Sequence, residues 1–449
     1  MNAQLFIIKC IMAAVFLIAN PQTIPGPAQE VILGDEQFGE YLPLLDGKRI
    51  ALFSNHTGIV GDENSGLGEI GDADPTLIPF GTNASGEEIT YGGHILDALM
   101  ERNVEVTVVF SPEHGFRGTE DAGADVGNSV DEKTGVPILS LYSGNSRYPA
   151  QEDLDLFDTL VVDIQDVGLR YYTYYISMYY LMDACAANGK EVIILDRPNP
   201  NGFYVDGPIL KDGYKSGVGV LPIPVVHGMT LGELAQMING EGWLEAGTDA
   251  CDLKVIPCRN YNHQAKTSLI RSPSPNLKDM RAVYLYASTC FFENTAVSVG
   301  RGTEFPFEIY GSPYLDEDTF QPADGTTPFT FIPQSMIGAQ NPPFEGRECV
   351  GADLREIPIE EIWDAGINLS YLIDAYDAVK KGTPKKGTPE VGFWGKPTGG
   401  HYWIDTLSGS SELRTMIEEG KTAKEIKASW EEDLAAFKEQ RRPYLLYKE

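Results

Sequence analysis

The chain has 449 residues, more than one ordinary hydrophobic core organises, so two domains are the starting expectation. Hydrophobic residues at 42% and charged residues at 22% give a globular composition and exclude a disordered chain. A formal net charge of −31 excludes nucleic acid as a partner, because a phosphate backbone would be repelled.

The first residues read as a leader. Leu5 to Ile8 and Ile11 to Ala19 are apolar, interrupted by Lys9 and Cys10, and Gly26-Pro27-Ala28 offers a small-residue cleavage site before Gln29. Residues 1–28 are therefore expected to be a signal peptide, the run being short for a membrane span. No later segment is apolar enough to cross a bilayer, so the mature chain is expected to be periplasmic or secreted. Cys185, Cys251, Cys258, Cys290 and Cys349 remain, an odd count without a Cys-x-x-Cys pair, which indicates neither a disulfide framework nor structural zinc.

Beyond the leader, residues 49–54 form a buried strand that ends in Asn55-His56-Thr57-Gly58. Residues 95–100 read as helix, and 104–110 as a second strand, stopped by Pro112. Strands follow at 136–142, 159–164 and 191–195, with a Tyr-rich helix over 172–187 between the last two. Apolar strands alternating with helices predict a Rossmann-like, mostly parallel sheet covered on both faces. No phosphate-cradling glycine motif follows the first strand, so no nucleotide cofactor is expected.

A Gly-rich run over 211–219 reads as a linker, dividing a domain at 29–215 from a smaller α+β domain at 216–449. In the latter, 230–238 reads as a capped helix, 253–257 and 282–288 as strands, and 312–351 as Pro- and Gly-rich loop. Helices are expected again at 359–363, 369–380, 411–418 and 423–439.

Every strand of the first domain ends in a polar cluster, and ligands of such sheets gather at the carboxyl ends of the strands. In Ser111-Pro112-Glu113-His114-Gly115, Glu113 stands just past a buried strand, where a raised pKa would suit a general acid. A loop-fixing pair with His114 or Arg117 is the competing reading. Glycoside hydrolysis usually needs a second carboxyl group, for which Glu120, Asp163, Asp166 and Glu293 are candidates. Arg170, ahead of the Tyr-rich helix and beside Tyr171, could grip an anion bidentately, or merely pair with Asp166. Asn199 stands in the last strand-end cluster, Asp196-Arg197-Pro198-Asn199-Pro200, and His227 before Gly228 suits either core or cleft. In the second domain, Glu293-Asn294-Thr295 and Gly300-Arg301-Gly302 combine a carboxylate, an amide and an arginine in Gly-punctuated loops, which is polar-recognition chemistry. The histidines lack metal-ligand spacing and no Gly-x-Ser-x-Gly elbow is present, so neither a metal site nor a serine hydrolase is expected.

These runs in order, from Ser54-Asn55-His56-Thr57-Gly58 to Val299-Gly300-Arg301-Gly302-Thr303, resemble the NamZ exo-β-N-acetylmuramidase family. The resemblance implies a Rossmann-like domain and a smaller C-terminal domain with the active site between them. It implies release of N-acetylmuramic acid from the non-reducing end of peptidoglycan-derived saccharides, with Glu113 as the acid. The substrate's acetamido carbonyl could replace a protein nucleophile. The sugar's lactyl carboxylate calls for a local arginine, and Arg117, Arg170 and Arg301 all stand in the motifs. A non-catalytic sugar-binding protein and a cell-wall amidase or esterase are the alternatives. The first would not need Glu113, and the second would need a nucleophile or metal site.

Overall fold

A computed structural model describes residues 31–60, 93–112, 116, 127–141, 147–245, 250–318, 320–322, 326, 328–382 and 387–449. The leader, Glu113, His114, Arg117 and Glu120 lie outside the described residues.

Seven strands form the main sheet: β1 (Arg49–Ser54), β2 (Glu105–Ser111), β3 (Ser129–Val130), β4 (Pro137–Ser140), β5 (Thr159–Asp163) and β6 (Glu191–Leu195), with an edge strand from further along the chain. Between β6 and that edge, β7 (Asp206–Ile209) and β8 (Pro224–Val226) make a two-stranded antiparallel pair. The edge strand is β9 (Asp252–Ile256), parallel to β6. The order is β3-β4-β2-β1-β5-β6-β9, parallel except where β3 meets β4. The chain winds outward from β1 through β2 and β4, then returns to β5 and winds the other way. The carboxyl ends of β1 and β5 therefore flank the topological switch point, where the crossover loops part and leave a crevice.

The two-residue period of a strand explains why these runs are apolar without interruption. Ala51 and Phe53 pack into one core, Ile50 and Leu52 into another on the opposite face. The second face is covered by α1 (Phe38–Leu45) and α2 (Ile95–Glu101). The first takes α4 (Tyr174–Ala187) and α5 (Leu231–Gly240), the short α3 (Gln151–Leu154) preceding β5. Helix α4 is apolar around most of its circumference because it is buried on nearly every side, and the same core continues without a break into the C-terminal half.

The C-terminal half departs from expectation at three places. Residues 282–288 lie in a helix, α6 (Met280–Thr289), rather than a strand. Asp279 caps it by accepting a hydrogen bond from Ala282 N at 2.9 Å, and all ten residues are buried, which erases the periodicity that tells helix from strand in a short apolar run. The 312–351 region contains strands. Here β10 (Ile309–Ser312), β11 (Pro328–Phe331) and β12 (Cys349–Asp353) form an antiparallel sheet of order β10-β12-β11, its strands too short for alternation to show. Finally, the 211–219 run lies within the turn region between paired β7 and β8, and β9 belongs to the first sheet, so that sheet draws on chain well past residue 215. Among the described residues no helix is long and apolar enough to cross a membrane.

Candidate active site

The strand ends meet at the switch point, but most of their polar groups bind one another. Asn55 Oδ1 accepts from Thr57 N and Oγ1 at 2.9 and 2.6 Å, while its Nδ2 donates to the Tyr174 hydroxyl at 2.8 Å. Thr57 Oγ1 in turn accepts from Gln165 N at 3.0 Å, tying the end of β1 to the end of β5. Gly58 is needed for closeness: a Cβ there would fall 2.2 Å from Ser54 Oγ and 3.2 Å from Asp163.

Asp163 was expected to project into this crevice as a catalytic carboxylate. It is instead fully buried against Arg197, whose Nε and Nη2 donate to its two oxygens at 2.6 and 3.0 Å. The same Nη2 reaches Asp35 at 2.7 Å. Burial pushes the Asp35 carboxyl well above its ordinary range, with Arg197 opposing. A cation clamped between two dehydrated carboxylates joins the N-terminal segment and β5 to the loop after β6, and both Asp163 oxygens are taken by it.

Arg170 also departs from expectation. It neither pairs with Asp166 nor opens outward: its side chain is fully buried, Nη1 donating to Pro208 O and Ile223 O at 2.7 Å each and Nη2 to Leu407 O at 2.8 Å. Leu407 lies in the last turn of the helix Trp403–Ser408, where exposed carbonyls favour a cation. Burial lowers the Arg170 pKa to about 10, still high enough for the group to stay charged. Tyr171 donates to Ala287 O at 2.8 Å in the last turn of α6, joining the two halves rather than facing a ligand. Asn199 is likewise buried, donating to Met229 O and accepting from Asn201 N, both at 2.8 Å. His227 accepts from Met229 N at 3.3 Å, and burial, helped by Arg441 and Arg170, drops its pKa to about 3, so the ring is neutral.

Asp166 differs from these. Its Oδ1 accepts from Gly168 N at 2.7 Å, but Oδ2 has no partner among the described residues although the side chain is buried. Burial raises its pKa to about 7, against the pull of the nearby backbone N–H groups of Gly168, Tyr175 and Val167.

A short segment missed in the sequence connects this crevice to the C-terminal half. Ser272-Pro273-Ser274-Pro275-Asn276 runs across the strand ends: His56 Nε2 lies 2.7 Å from Ser272 O, and the Tyr172 and Tyr174 hydroxyls both donate to Pro273 O at 2.7 Å. Its far end holds Gly338, whose carbonyl accepts from Asn276 Nδ2 at 2.8 Å. Two prolines in four residues, each fixing φ, were the available signal.

Gly338 stands on the wall of an open cleft of about 750 Å³ that also takes in Glu293, Asn294, Arg301, Asn341 and Phe344. Of the residues expected to form a site, this cleft brings together Glu293, Asn294 and Arg301. Glu293 Oε1 accepts from Arg301 Nε and Nη2 at 3.0 and 2.6 Å, and the two side chains keep 23% and 18% exposure, unlike the closed pairs at the strand ends. Asn294 has φ +58°, a left-handed backbone that asparagine tolerates, which turns the chain at the cleft wall. Among the described residues no cluster of histidine, cysteine, aspartate or glutamate could hold a metal ion.

Two family models together match the chain from residue 79 to residue 447. The N-terminal part of the exo-β-N-acetylmuramidase NamZ covers residues 79–281, and the C-terminal part covers 284–447. The chain is 34% identical over 424 residues to the peptidoglycan β-N-acetylmuramidase NamZ of Bacillus subtilis strain 168, spanning 92% of this chain and 90% of that protein. Two crystal structures of DUF1343 family proteins from Bacteroides fragilis NCTC 9343 share the fold. One is 48% identical with a TM-score of 0.75, covering 94% of this chain and all of that one; the other is 26% identical with a TM-score of 0.69, covering 93% and 99%. The matched regions include the ends of β2, β5 and β6, the Ser272–Asn276 segment and the described residues of the cleft, and the chain belongs to the NamZ exo-β-N-acetylmuramidase family.

Proposed function

We propose that this protein is an exo-acting glycosidase that releases N-acetylmuramic acid from the non-reducing end of peptidoglycan fragments, with Glu113 as general acid. The observation that carries this reading is 34% identity to a named peptidoglycan β-N-acetylmuramidase over 92% of the chain. Ser111 and Pro112, both buried, end β2 beside β1, and Glu113 follows them directly in sequence. An acid delivered there would protonate the leaving glycosidic oxygen. Of the candidates for the second carboxyl group, Asp163 is held by Arg197, which leaves Asp166 and Glu293 as the described ones not buried in a closed ion pair. Neighbouring attack by the substrate's acetamido oxygen would make either of them a positioning group rather than a nucleophile.

The test compares a chromogenic β-N-acetylmuramide with the matching β-N-acetylglucosaminide. Hydrolysis of the muramide, and its loss by about 10²- to 10⁴-fold in Glu113→Gln with ligand binding retained, is the expected result. Retained hydrolysis in that variant removes Glu113 from the reaction; binding without hydrolysis by the native protein makes it a sugar-binding protein. The leader reading adds a periplasmic or secreted location, checked by fractionation and by a mature N-terminus at Gln29.

A further inference from the structure

Arg301 differs from every other arginine of the site motifs that the structure describes. Arg170 and Arg197 are closed off by carbonyls and carboxylates, whereas Arg301 lines the cleft. Of the described residues lining that cleft, Glu293 and Arg301 alone carry charge. Their pairing uses a single carboxylate oxygen and one side of the guanidinium, Nε with Nη2. The end-on edge, Nη1 with the outer N–H of Nη2, has no hydrogen-bond partner among the described residues. That edge is the fork that matches a carboxylate in its plane.

The backbone fixes where the fork stands. Arg301 lies between Gly300 (φ +79°) and Gly302 (φ +81°), both in the left-handed region. A Cβ on Gly300 would fall 2.6 Å from Ile309 and 2.8 Å from Phe305 O; one on Gly302 would fall 2.6 Å from Gln334 O and from Pro342. Nearby Phe307 holds φ +68°, an uncommon conformation for an aromatic residue, with its ring 5.0 Å from the Arg301 guanidinium. The apolar lining from Val297, Val299 and Phe344 lowers the local dielectric, which strengthens charge recognition. Elsewhere the chain's charge of −31 disfavours anions, so an anionic substituent needs such a local cation.

The geometry points to Arg301 as the residue that selects the lactyl carboxylate of a muramyl sugar, with Glu293 as a positioning residue that orients its guanidinium. This rests on the muramidase reading. Glucosamine sugars lack the lactyl group, so Arg301 would act in discrimination between the two sugars rather than in bond cleavage.

The test compares a chromogenic β-N-acetylmuramide as the free acid with its lactyl methyl ester, which keeps the shape and removes the charge. The native enzyme is expected to prefer the acid by about 10- to 100-fold in kcat/KM, the worth of a charge-assisted fork. In Arg301→Gln both rates fall, the acid's more steeply, and the ratio collapses to near 1. Arg301→Lys keeps the charge beside Glu293 and guards against misfolding; without a fork its ratio falls part of the way. Glu293→Gln raises KM for the acid more than it lowers kcat for the ester. An undiminished acid-to-ester ratio in both Arg301 variants overturns the inference, as does a ratio that collapses in Arg117→Gln instead. A native enzyme that cleaves acid and ester equally overturns it while leaving the muramidase reading intact. Hydrolysis of neither compound removes that reading, and the inference with it.

Discussion

The strand ends at the switch point and the C-terminal cleft are equally polar in sequence, yet they use polarity in opposite ways. At the strand ends Asp163, Arg197, Asn199 and Arg170 are buried and their hydrogen-bonding groups go almost entirely to protein partners. In the cleft, Glu293 and Arg301 satisfy each other through one oxygen and one edge and keep the rest for solvent. Buried polar groups must find partners to be tolerated at all. A dense polar motif at a strand end is thus as well explained by the cost of burial as by a ligand, and only the accounting of partners separates the two.

The sharpest way to break that contrast is to remove a cation from each region. Arg197→Ala leaves Asp35 and Asp163 dehydrated and without their cation, and is expected to cost about 3–5 kcal/mol of stability in urea unfolding. Arg301→Gln, in a pair open to solvent, should cost about 1 kcal/mol or less while changing specificity. Equal stability losses would mean that the cleft pair is as structural as the buried one.

Asp166 stands between the two regions, buried like the first and left with an open oxygen like the second. Its pKa of about 7 in the folded chain lies above the ordinary carboxylate value, because burial disfavours the charged form. Between about pH 4 and pH 7 the native state holds a proton that the unfolded chain has lost, so this group's contribution falls as pH rises. The slope is at most about 1.4 kcal/mol per pH unit. Asp166→Asn keeps an acceptor for Gly168 N and removes the titration. The native protein should therefore lose stability relative to the variant from about pH 4 to 7, with the difference constant above. A difference that runs the other way would show a carboxylate stabilised in its charged form, and would return Asp166 to the ion-paired class.

How far each region was legible follows from the distance to its partners. The parallel strands were readable because burial on both faces writes an unbroken apolar run, and the Arg301 loop because Gly300 and Gly302 flank it directly. The partners of Asp163 and Arg170 were not legible because they lie far off in sequence, 34 residues for Asp163 and 237 for one acceptor of Arg170. Local polarity was visible in both cases; its satisfaction was not. Helix α6 was misread for a related reason, since complete burial leaves no polar face to reveal the period. Strand β9 was recognised but assigned to the wrong half, because pairing with β6 is a tertiary fact that neither run records.

The smallest expected effect lies where the two regions touch. Asn276 Nδ2 donates to Gly338 O across the end of the Ser272–Asn276 segment, and Gly338, at φ +81° with room for no Cβ against Pro275, forms the wall of the cleft. Asn276→Ala removes one buried hydrogen bond, which should cost about 1 kcal/mol of stability. The consequence for function should be larger than for folding: with one anchor gone, the cleft wall at Gly338 is less fixed, and orientation of the sugar suffers before chemistry does. A rise in KM of a few fold with little change in kcat is the expected signature. If kcat falls instead with KM unchanged, the segment acts on the reacting bond through its other end, where His56, Tyr172 and Tyr174 hold Ser272 and Pro273, and the crevice rather than the cleft governs how the substrate is placed.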